Sequence, residues 1–234
     1  MTSRERERES NSVLGYALKA DIKHYFETVD HEVLLSILRK RIQDEDLMRL
    51  ISLILANHKT QIPGRGMPLG NLTSQFFANI YLAELDHFVK HELKAKYYLR
   101  YVDDFVILHS SKAQLQNWNT RINEFLDWRL KLSLHPDKTK IIPLQSGIPL
   151  VGFRFFYHYR LLKRNNLRKM QKRLALFMEK YAAGEIEQRR ILLSNSGWQG
   201  YAKMGNTYKL RQKVHAEVVS ILAQRKAGKV EQTL

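Results

Sequence analysis

The amino-acid sequence predicts an α+β fold, in which helices back an antiparallel sheet and a helical, basic region follows. Apolar residues alternate with other residues over residues 16–22 (YALKADI), as expected of a half-buried strand. Residues 97–109 (YYLRYVDDFVILH) contain two β-prone arms around an acidic centre, which is typical of a hairpin. Between these segments, apolar residues recur three and four positions apart, as on the buried face of a helix.

Four helices are predicted within the first 130 residues. Each begins at a residue whose side chain can accept a hydrogen bond from the free backbone amides of a first turn. The first, third and fourth helices are predicted to open at Asp30, at Thr73 or Ser74, and at Ser110 or Ser111, and the second is expected to run from about Asp44 to Asn57. The third helix is expected to run to about Leu93 and to bury Phe77, Tyr81, Leu85 and Phe88.

The remaining segments define three regions. The alternating charges of RERERE predict a solvated arm over residues 1–12. Residues 13–162 then form the α+β domain, which closes with a strand at KIIPL (140–144) and a hairpin in 147–162. Residues 163–234 are predicted to be helical and basic, with an apolar stripe formed by Leu167, Met170, Leu174 and Phe177.

Composition restricts the possible functions. The 234 residues contain no cysteine, which excludes disulfides, thiol nucleophiles and cysteine-bound zinc. We find neither an apolar signal core nor a run long enough to span a membrane, so we expect a cytoplasmic protein without a membrane partner. The net charge is +16, from 39 Lys and Arg against 23 Asp and Glu. This excess favours a polyanionic partner, above all nucleic acid.

Three carboxylates are candidates for a metal site. Asp103 and Asp104 are adjacent in YVDDF, and burying two like charges is costly unless a cation neutralises them. Oxygen ligands, without cysteine or a histidine cluster, favour Mg²⁺ or Mn²⁺ over zinc. Asp21 ends the first predicted strand and could join the pair to hold two ions, as in nucleotidyl transfer. The sequence spacing leaves open whether Asp21 lies near Asp103, and an ordinary acidic turn is the alternative.

Five segments, in this order, resemble motifs A to E of reverse transcriptases. They are ADIKHYFETVDH (20–31), GMPLGNLTSQFFANIYL (66–82), YVDDFVIL (101–108), LSLHPDKTKII (132–142) and IPLVGFRF (148–155). The resemblance implies a palm domain followed by a thumb. It also implies an RNA-directed DNA polymerase, a nucleotidyltransferase that copies an RNA template into cDNA from a primer, with dNTPs as substrates.

The resemblance also assigns the metal site and a proton donor. The implied metal-binding residues are Asp21, Ile22, Asp103 and Asp104, with two Mg²⁺ ions and Mn²⁺ as the alternative. Lys138 resembles the lysine that protonates the leaving pyrophosphate; an ordinary surface lysine is the alternative.

Further residues are implied to contact the substrates. Phe26 would lie against the sugar and exclude a ribose 2′-hydroxyl, which argues against an RNA-directed RNA polymerase; a core phenylalanine is the alternative. Gly70 allows close backbone approach to a nucleotide or the template, and Ser74 and Gln75 open the helix beside it. Gly152 and Phe153 fall in the hairpin that resembles the primer grip.

Motif B points to a subfamily. Leu69-Gly70 and Ser74-Gln75 are similar to the motif of diversity-generating retroelement reverse transcriptases. That subfamily implies a small basic accessory protein as a partner.

The chain departs from the family pattern before motif A. Motif A begins at residue 20, after a short polar arm, whereas reverse transcriptases carry a fingers domain there. The expectation is a truncated or split product, or a separate chain that supplies the fingers. The alternative function is a catalytically incomplete palm and thumb that binds nucleic acid or depends on a partner.

Overall fold

The computed structural model describes residues 13–57, 62–68 and 70–231, and over these ranges it has the predicted α+β fold. The predicted arm, residues 1–12, lies outside the described residues. Contacts divide the chain into two compact units, Met1–Ser146 and Gly147–Leu234. The predicted division into arm, palm and thumb stays a prediction.

The first unit contains four strands and five helices among the described residues. They are β1 (Tyr16–Asp21), α1 (Tyr25–Thr28), α2 (His31–Arg39), α3 (Glu45–Ala56), α4 (Leu72–His87), β2 (Tyr97–Tyr101), β3 (Asp104–His109), α5 (Lys112–Leu130) and β4 (Lys140–Pro143). A π-helical turn, Phe88–Glu92, continues α4, and a 3-10 turn, Leu144–Ser146, follows β4.

The four strands form one antiparallel sheet in the order β2-β3-β1-β4. Helix α5 packs against β1 and β3, and α4 packs against α2 and α5. Fully buried side chains from both layers fill the space between them, including Leu18, Tyr81, Phe105, Ile107 and Leu115. The central strands β1 and β3 are therefore fixed on a rigid core, and their ends can hold functional side chains in place.

Local chemistry explains where the helices begin. The carboxylates of Asp30, as predicted, and of Asp44 accept hydrogen bonds from Val33 and Leu47 N–H groups, at 3.1 and 3.0 Å. Ser111 Oγ caps α5 in the same way. The cap predicted for α4 was wrong by two or three residues, because the Asn71 side chain accepts from Thr73 N–H at 3.2 Å.

The second unit contains a small sheet and three helices among the described residues. Its elements are β5 (Ile148–Leu150), β6 (Phe153–Phe155), β7 (Arg160–Leu162), α6 (Arg164–Ala182), α7 (Gln188–Ala202) and α8 (Tyr208–Glu231). The predicted hairpin is a three-stranded antiparallel sheet, because the chain turns after Phe155 and β7 pairs back onto β6. The predicted apolar stripe of α6 is only half-buried.

No helix in the described parts of the chain is long and apolar enough to cross a membrane.

Candidate active site

The register of β1 and β3 places the three predicted aspartates at adjoining positions. Asp21, at the end of β1, pairs directly with Asp104, at the start of β3. Asp103 lies one residue earlier, in the turn, and its carbonyl accepts a hydrogen bond from Ile22 N–H at 3.3 Å. The structure thus settles the proximity that the sequence spacing left open.

The turn that carries Asp103 has an unusual backbone. Tyr101 pairs with Asp104, so only Val102 and Asp103 connect β2 to β3. Val102 has φ 56°, in the left-handed region that β-branched residues rarely adopt. Such a conformation persists only where the surroundings hold it, and it is common at functional sites.

Arg100 is one of the groups that hold this turn. Its guanidinium donates to the Val102 carbonyl at 3.0 Å and to both carboxylate oxygens of Asp86, at 2.8 and 2.6 Å. Tyr98 also donates to Asp86, at 2.6 Å. Burial, with the hydrogen bond and charge of Asp86, raises the pKa of the Tyr98 hydroxyl, so this hydroxyl stays protonated. The network ties the turn to helix α4, on which Asp86 lies.

Two lysines neutralise the outer carboxylates. Lys138 Nζ lies 3.0 and 3.2 Å from the two carboxylate oxygens of Asp21, and Lys19 Nζ lies 2.6 Å from Asp104 Oδ1. The hydrogen bond to Asp21, and then the charges of the three aspartates, raise the pKa of Lys138. Lys138 is therefore held in its charged form beside Asp21, and its role as a proton donor stays a prediction.

Asp103 has no lysine hydrogen-bonded to its carboxylate in the described contacts. Burial, and then the negative charges of Asp21 and Asp104, raise its pKa, while Lys138 opposes this effect. The Asp103 carboxylate therefore lies in a region of excess negative charge, and a bound cation would favour its ionised form. Its oxygen donors suit a hard divalent cation such as Mg²⁺.

The side chains are not arranged as a finished metal site. Within the described residues, no three acidic or histidine side chains converge closely enough to hold a metal ion. Lys138 pairs with both carboxylate oxygens of Asp21, and Lys19 pairs with Oδ1 of Asp104. The carboxylate oxygens are suitable ligands for a divalent cation. Lys138 and Lys19 compete with such a cation for the oxygens of Asp21 and Asp104. Ile22 is apolar and buried, so it could contribute only a backbone group.

The predicted sugar-contacting residue lies beside the motif B loop. Phe26 is half-buried, and its ring contacts Tyr25 edge-on with centroids 5.4 Å apart. Its carbonyl accepts a hydrogen bond from Met67 N–H at 2.7 Å, and Gly66 N–H donates to Val29 at 2.7 Å. The start of the motif B segment is thereby docked onto the motif A segment.

The other motif B residues differ in exposure. Gly70 is exposed and has φ 83°, so its backbone requires glycine although a Cβ there would meet no neighbour. Leu69 lies outside the described residues. Ser74 is buried in the first turn of α4, whereas Gln75 is exposed and available to a ligand.

The predicted primer-grip residues lie in the second unit. Gly152 has φ 81°, and its carbonyl accepts hydrogen bonds from Lys163 N–H and the Asn166 amide, at 3.0 and 3.3 Å. The Phe153 ring is buried against Tyr201, with centroids 5.0 Å apart. The Phe153 side chain therefore stabilises the unit, and the exposed part of this turn is Val151.

Sequence reasoning missed Lys19, Asp86 and Arg100. Lys19 lies two residues before Asp21 on β1 and so shares its face, which is a signal available from strand periodicity. Asp86 gives no such signal, because it reaches Arg100 only through the packing of α4 beside the hairpin.

This sheet and its carboxylates define the class of protein. An antiparallel sheet with acidic residues at adjoining ends of two central strands, backed by helices, is the palm of a template-directed nucleic-acid polymerase. The chain belongs to the reverse transcriptase (RNA-dependent DNA polymerase) family, whose sequence model matches residues 4–155.

Two relatives and one solved structure are similar to this chain. The protein YkfC of Escherichia coli K12 is 28% identical over 176 residues, which cover 59% of this chain and 46% of YkfC. The group II intron-encoded protein LtrA of Lactococcus lactis is 36% identical over 88 residues, 34% of this chain and 14% of LtrA. A telomerase structure from Candida tropicalis, in complex with a TWJ fragment of telomeric RNA, superposes with TM-score 0.50 at 14% identity. It covers 99% of this chain and 42% of the telomerase chain, and at that identity it shows the fold alone.

The chain spans less than half the length of these relatives. The predicted diversity-generating subfamily has no support among them, since LtrA is a group II intron-encoded protein.

Proposed function

We propose that this chain carries the polymerase centre of a reverse transcriptase, which extends a DNA primer on an RNA template with dNTPs. The observation that carries the proposal is the pairing of Asp21 with Asp104, with Asp103 in the adjoining turn. In a chain of the reverse transcriptase family, nucleotidyl transfer is the reaction that these three carboxylates suit best.

Asp21, Asp103 and Asp104 would hold two divalent ions, Mg²⁺ or Mn²⁺, with a backbone group of Ile22. Bound ions would activate the primer 3′-hydroxyl and stabilise the negative charge of the leaving pyrophosphate. The residues themselves fix the donor positions: β1 and β3 hold two carboxylates, and the Arg100 contact holds the turn that carries the third. Positioning and neutralisation of charge are the main tasks of a protein in phosphoryl transfer.

Lys138 and Phe26 would act on the nucleotide. As the 3′-oxygen bonds to the α-phosphorus, the bond from that phosphorus to the pyrophosphate oxygen breaks, and the Lys138 ammonium can donate a proton to that oxygen. The hydrogen bond to Asp21 raises the pKa of Lys138, so this group carries its proton before metal binds. Phe26 would exclude the 2′-hydroxyl of a ribonucleotide, and Gly70 and Gln75 would line the nucleotide or template.

The second unit would bind the template–primer duplex. Helix α6 exposes a row of basic side chains suited to phosphates, including Arg164, Arg168, Lys169, Lys172 and Arg173. Because the Phe153 ring is buried, contact with the primer would fall to the backbone of Gly152 and to Val151. Residues 163–234 would then be the thumb, and residues 13–162 the palm.

The type of retroelement is a finer proposal. The motif B pattern favours a diversity-generating element with a basic accessory protein, whereas LtrA is encoded by a group II intron. Extension is measured on template RNA from a diversity-generating element and on group II intron RNA, and the preferred template distinguishes the two types of retroelement. The same assays, with and without a basic accessory protein or a fingers-bearing chain, test whether extension depends on a partner.

Primer extension on an RNA template tests the proposed function. The chain and its Asp103→Ala, Asp104→Ala double variant are compared with dNTPs and Mg²⁺, and duplex binding is measured for both. Extension by the chain alone, abolished in the variant, supports the proposal. Equal duplex binding without extension by either protein supports the alternative, a nucleic-acid-binding module that is catalytically incomplete.

A further inference from the structure

The small sheet of the second unit exposes one of its two faces. Because side chains alternate along β6, Arg154 lies on the face opposite to Phe153, whose ring is buried. Arg154 pairs with Leu161, which is 42% exposed. The pairing continues beyond the strand ends, since Phe156 N–H donates to the Tyr159 carbonyl at 2.8 Å. Phe156 and Tyr159 therefore lie on the exposed face, together with Arg154.

Two aromatic rings are stacked on this exposed face. The rings of Phe156 and Tyr159 are nearly parallel, with an interplanar angle of 19° and centroids 4.6 Å apart. The edge of the Phe156 ring lies close to the backbone of Gly147, where a Cβ would come within 2.7 Å of Phe156 Cζ. Gly147, with φ 71°, therefore makes room for the ring. Tyr159 is 45% exposed, so its ring is accessible to a further flat group.

The exposed face is also basic. Arg154 is exposed, and its stem lies beside the Phe156 ring, since the same Cβ at Gly147 would come within 2.7 Å of Arg154 Cγ. Residues 147–178, which include this sheet, contain eight Lys and Arg and no Asp or Glu. An accessible ring beside a guanidinium, in a region without acidic residues, fits a group that joins a base to a phosphate. These features together favour nucleic acid as the occupant of the exposed face.

Stacking on an exposed ring requires an unpaired base. Within a duplex, both faces of a base are covered by neighbouring base pairs, whereas a single strand can turn a base face toward an aromatic side chain. Aromatic side chains on the open face of a small antiparallel sheet are a known platform for single-stranded RNA. The chain belongs to the family of RNA-dependent DNA polymerases, and such an enzyme must hold its RNA template unpaired before copying it.

We propose that the exposed face of the β5–β6–β7 sheet binds single-stranded RNA, with one unpaired base stacked on Tyr159 and a phosphate bound by Arg154. The proposal rests on the proposed function, because it takes the RNA to be the template. It differs from the basic row of α6, whose phosphate contacts do not depend on the presence of bases. The affinity for a single strand should therefore depend on its bases as well as on its charge.

Equilibrium binding to two short single-stranded RNAs tests the proposal. The two RNAs have the same length and the same number of phosphates, but in one of them the central nucleotides are abasic. In EDTA, without primer or dNTPs, we expect the chain to bind the intact RNA at least about fivefold more tightly, as expected for one stacked base. Added salt should weaken the binding of both RNAs by the same factor, because their phosphates are the same.

Three variants locate the effect. Tyr159→Leu keeps an apolar side chain but removes the ring, so it should lose most of the preference for the intact RNA and leave the affinity for the abasic RNA unchanged. Tyr159→Trp keeps an aromatic ring and should retain the preference. Tyr97→Leu, at a tyrosine that is 55% exposed on β2 of the first unit, is the matched control and should behave as the wild type. Thermal melting confirms that each variant is folded.

Equal affinity of the wild-type chain for the two RNAs would overturn the proposal, and so would an undiminished preference in Tyr159→Leu. A Tyr159→Leu variant that binds both RNAs more weakly by the same factor would also overturn it, because Tyr159 would then support the surface without contacting a base. Primer extension with Mg²⁺ and dNTPs is measured in parallel. It reports on the proposed function separately, since the binding assay requires no catalysis.

Discussion

The ammonium group of Lys138 donates to both carboxylate oxygens of Asp21, at 3.0 and 3.2 Å. A divalent ion at Asp21 needs the same oxygens, so the lysine and the ion compete for them. The ion pair therefore neutralises the Asp21 carboxylate before metal binds, and it holds the Lys138 ammonium beside the proposed site of phosphoryl transfer.

Replacing Lys138 should change metal dependence and rate in opposite directions. Lys138→Gln removes the competing cation, so half-maximal extension should need about three- to tenfold less Mg²⁺. The maximal rate should fall by at least about a hundredfold, the usual contribution of a positioned acid. Extension is measured over a Mg²⁺ titration, with Lys140→Gln as the matched control on an exposed lysine nearby. An unchanged Mg²⁺ requirement in Lys138→Gln would disprove the competition.

Asp103→Asn should stabilise the metal-free protein while abolishing extension. The raised pKa of Asp103 means that its charged form is disfavoured in the folded state. The contribution of Asp103 to the free energy of unfolding should therefore become less unfavourable as pH falls through this pKa, and level off below the ordinary value of about 4. At pH 7 in EDTA, the variant should melt up to about 3 °C higher.

The pH dependence of this difference is the control for Asp103→Asn. The other titratable groups are common to both proteins, so the gap in melting temperature should close as pH approaches about 4. A variant that melts lower than the wild type at pH 7 would show that Asp103 is not destabilised by its neighbours.

Phe26→Ala should relax selectivity against ribonucleotides. Removal of the ring opens space at the position assigned to the sugar, so the ratio of dNTP to NTP incorporation should fall by at least about tenfold. Single-nucleotide incorporation measures this ratio. Phe125→Ala, which truncates another half-buried phenylalanine, is the control for loss of packing. Unchanged sugar selectivity in Phe26→Ala would show that Phe26 only packs in the core and does not contact the sugar.

Arg100 should affect the rate of primer extension, because it holds the turn that carries Asp103. Arg100→Lys cannot bond to both Asp86 oxygens and the Val102 carbonyl in the same geometry. We expect the extension rate to fall about tenfold or more, with duplex affinity unchanged. Arg129→Lys, at a surface ion pair with Glu84, should have little effect. Equal extension rates for Arg100→Lys and Arg129→Lys would disprove a role of Arg100 in positioning Asp103.

Local chemistry accounts for the elements that the sequence predicted correctly. Asp30 and Asp44 are caps because their carboxylates reach amides three residues on, and such contacts are encoded within one turn. The start of α4 was misplaced because Asn71, Thr73 and Ser74 are all good caps, and propensity does not choose among neighbours. The sequence predicted a two-stranded hairpin in 147–162, whereas this segment forms three strands. The pairing of β7 with β6 depends on the turn between them, which the pattern of β7 itself does not indicate.

The candidate site depended on contacts between distant parts of the sequence. The resemblance to reverse transcriptase motifs located Asp21, Asp103 and Asp104 without showing that they adjoin. The ion pairs of Asp21 with Lys138 and of Asp104 with Lys19 join residues 117 and 85 positions apart. Strand periodicity places Lys19 on the face of Asp21, but it does not identify Asp104 or Lys138 as the partner of either residue, which only the packed sheet reveals.

The rate of primer extension by Asp21→Asn tests the central claim most directly, namely that the three aspartates form one nucleotidyl-transfer site. The variant keeps the size of the side chain, and Asp46→Asn, in the exposed first turn of α3, is the matched control. The account predicts an extension rate at least about a hundredfold lower for Asp21→Asn, with duplex affinity and the control unchanged. Extension by Asp21→Asn at the wild-type rate would contradict it.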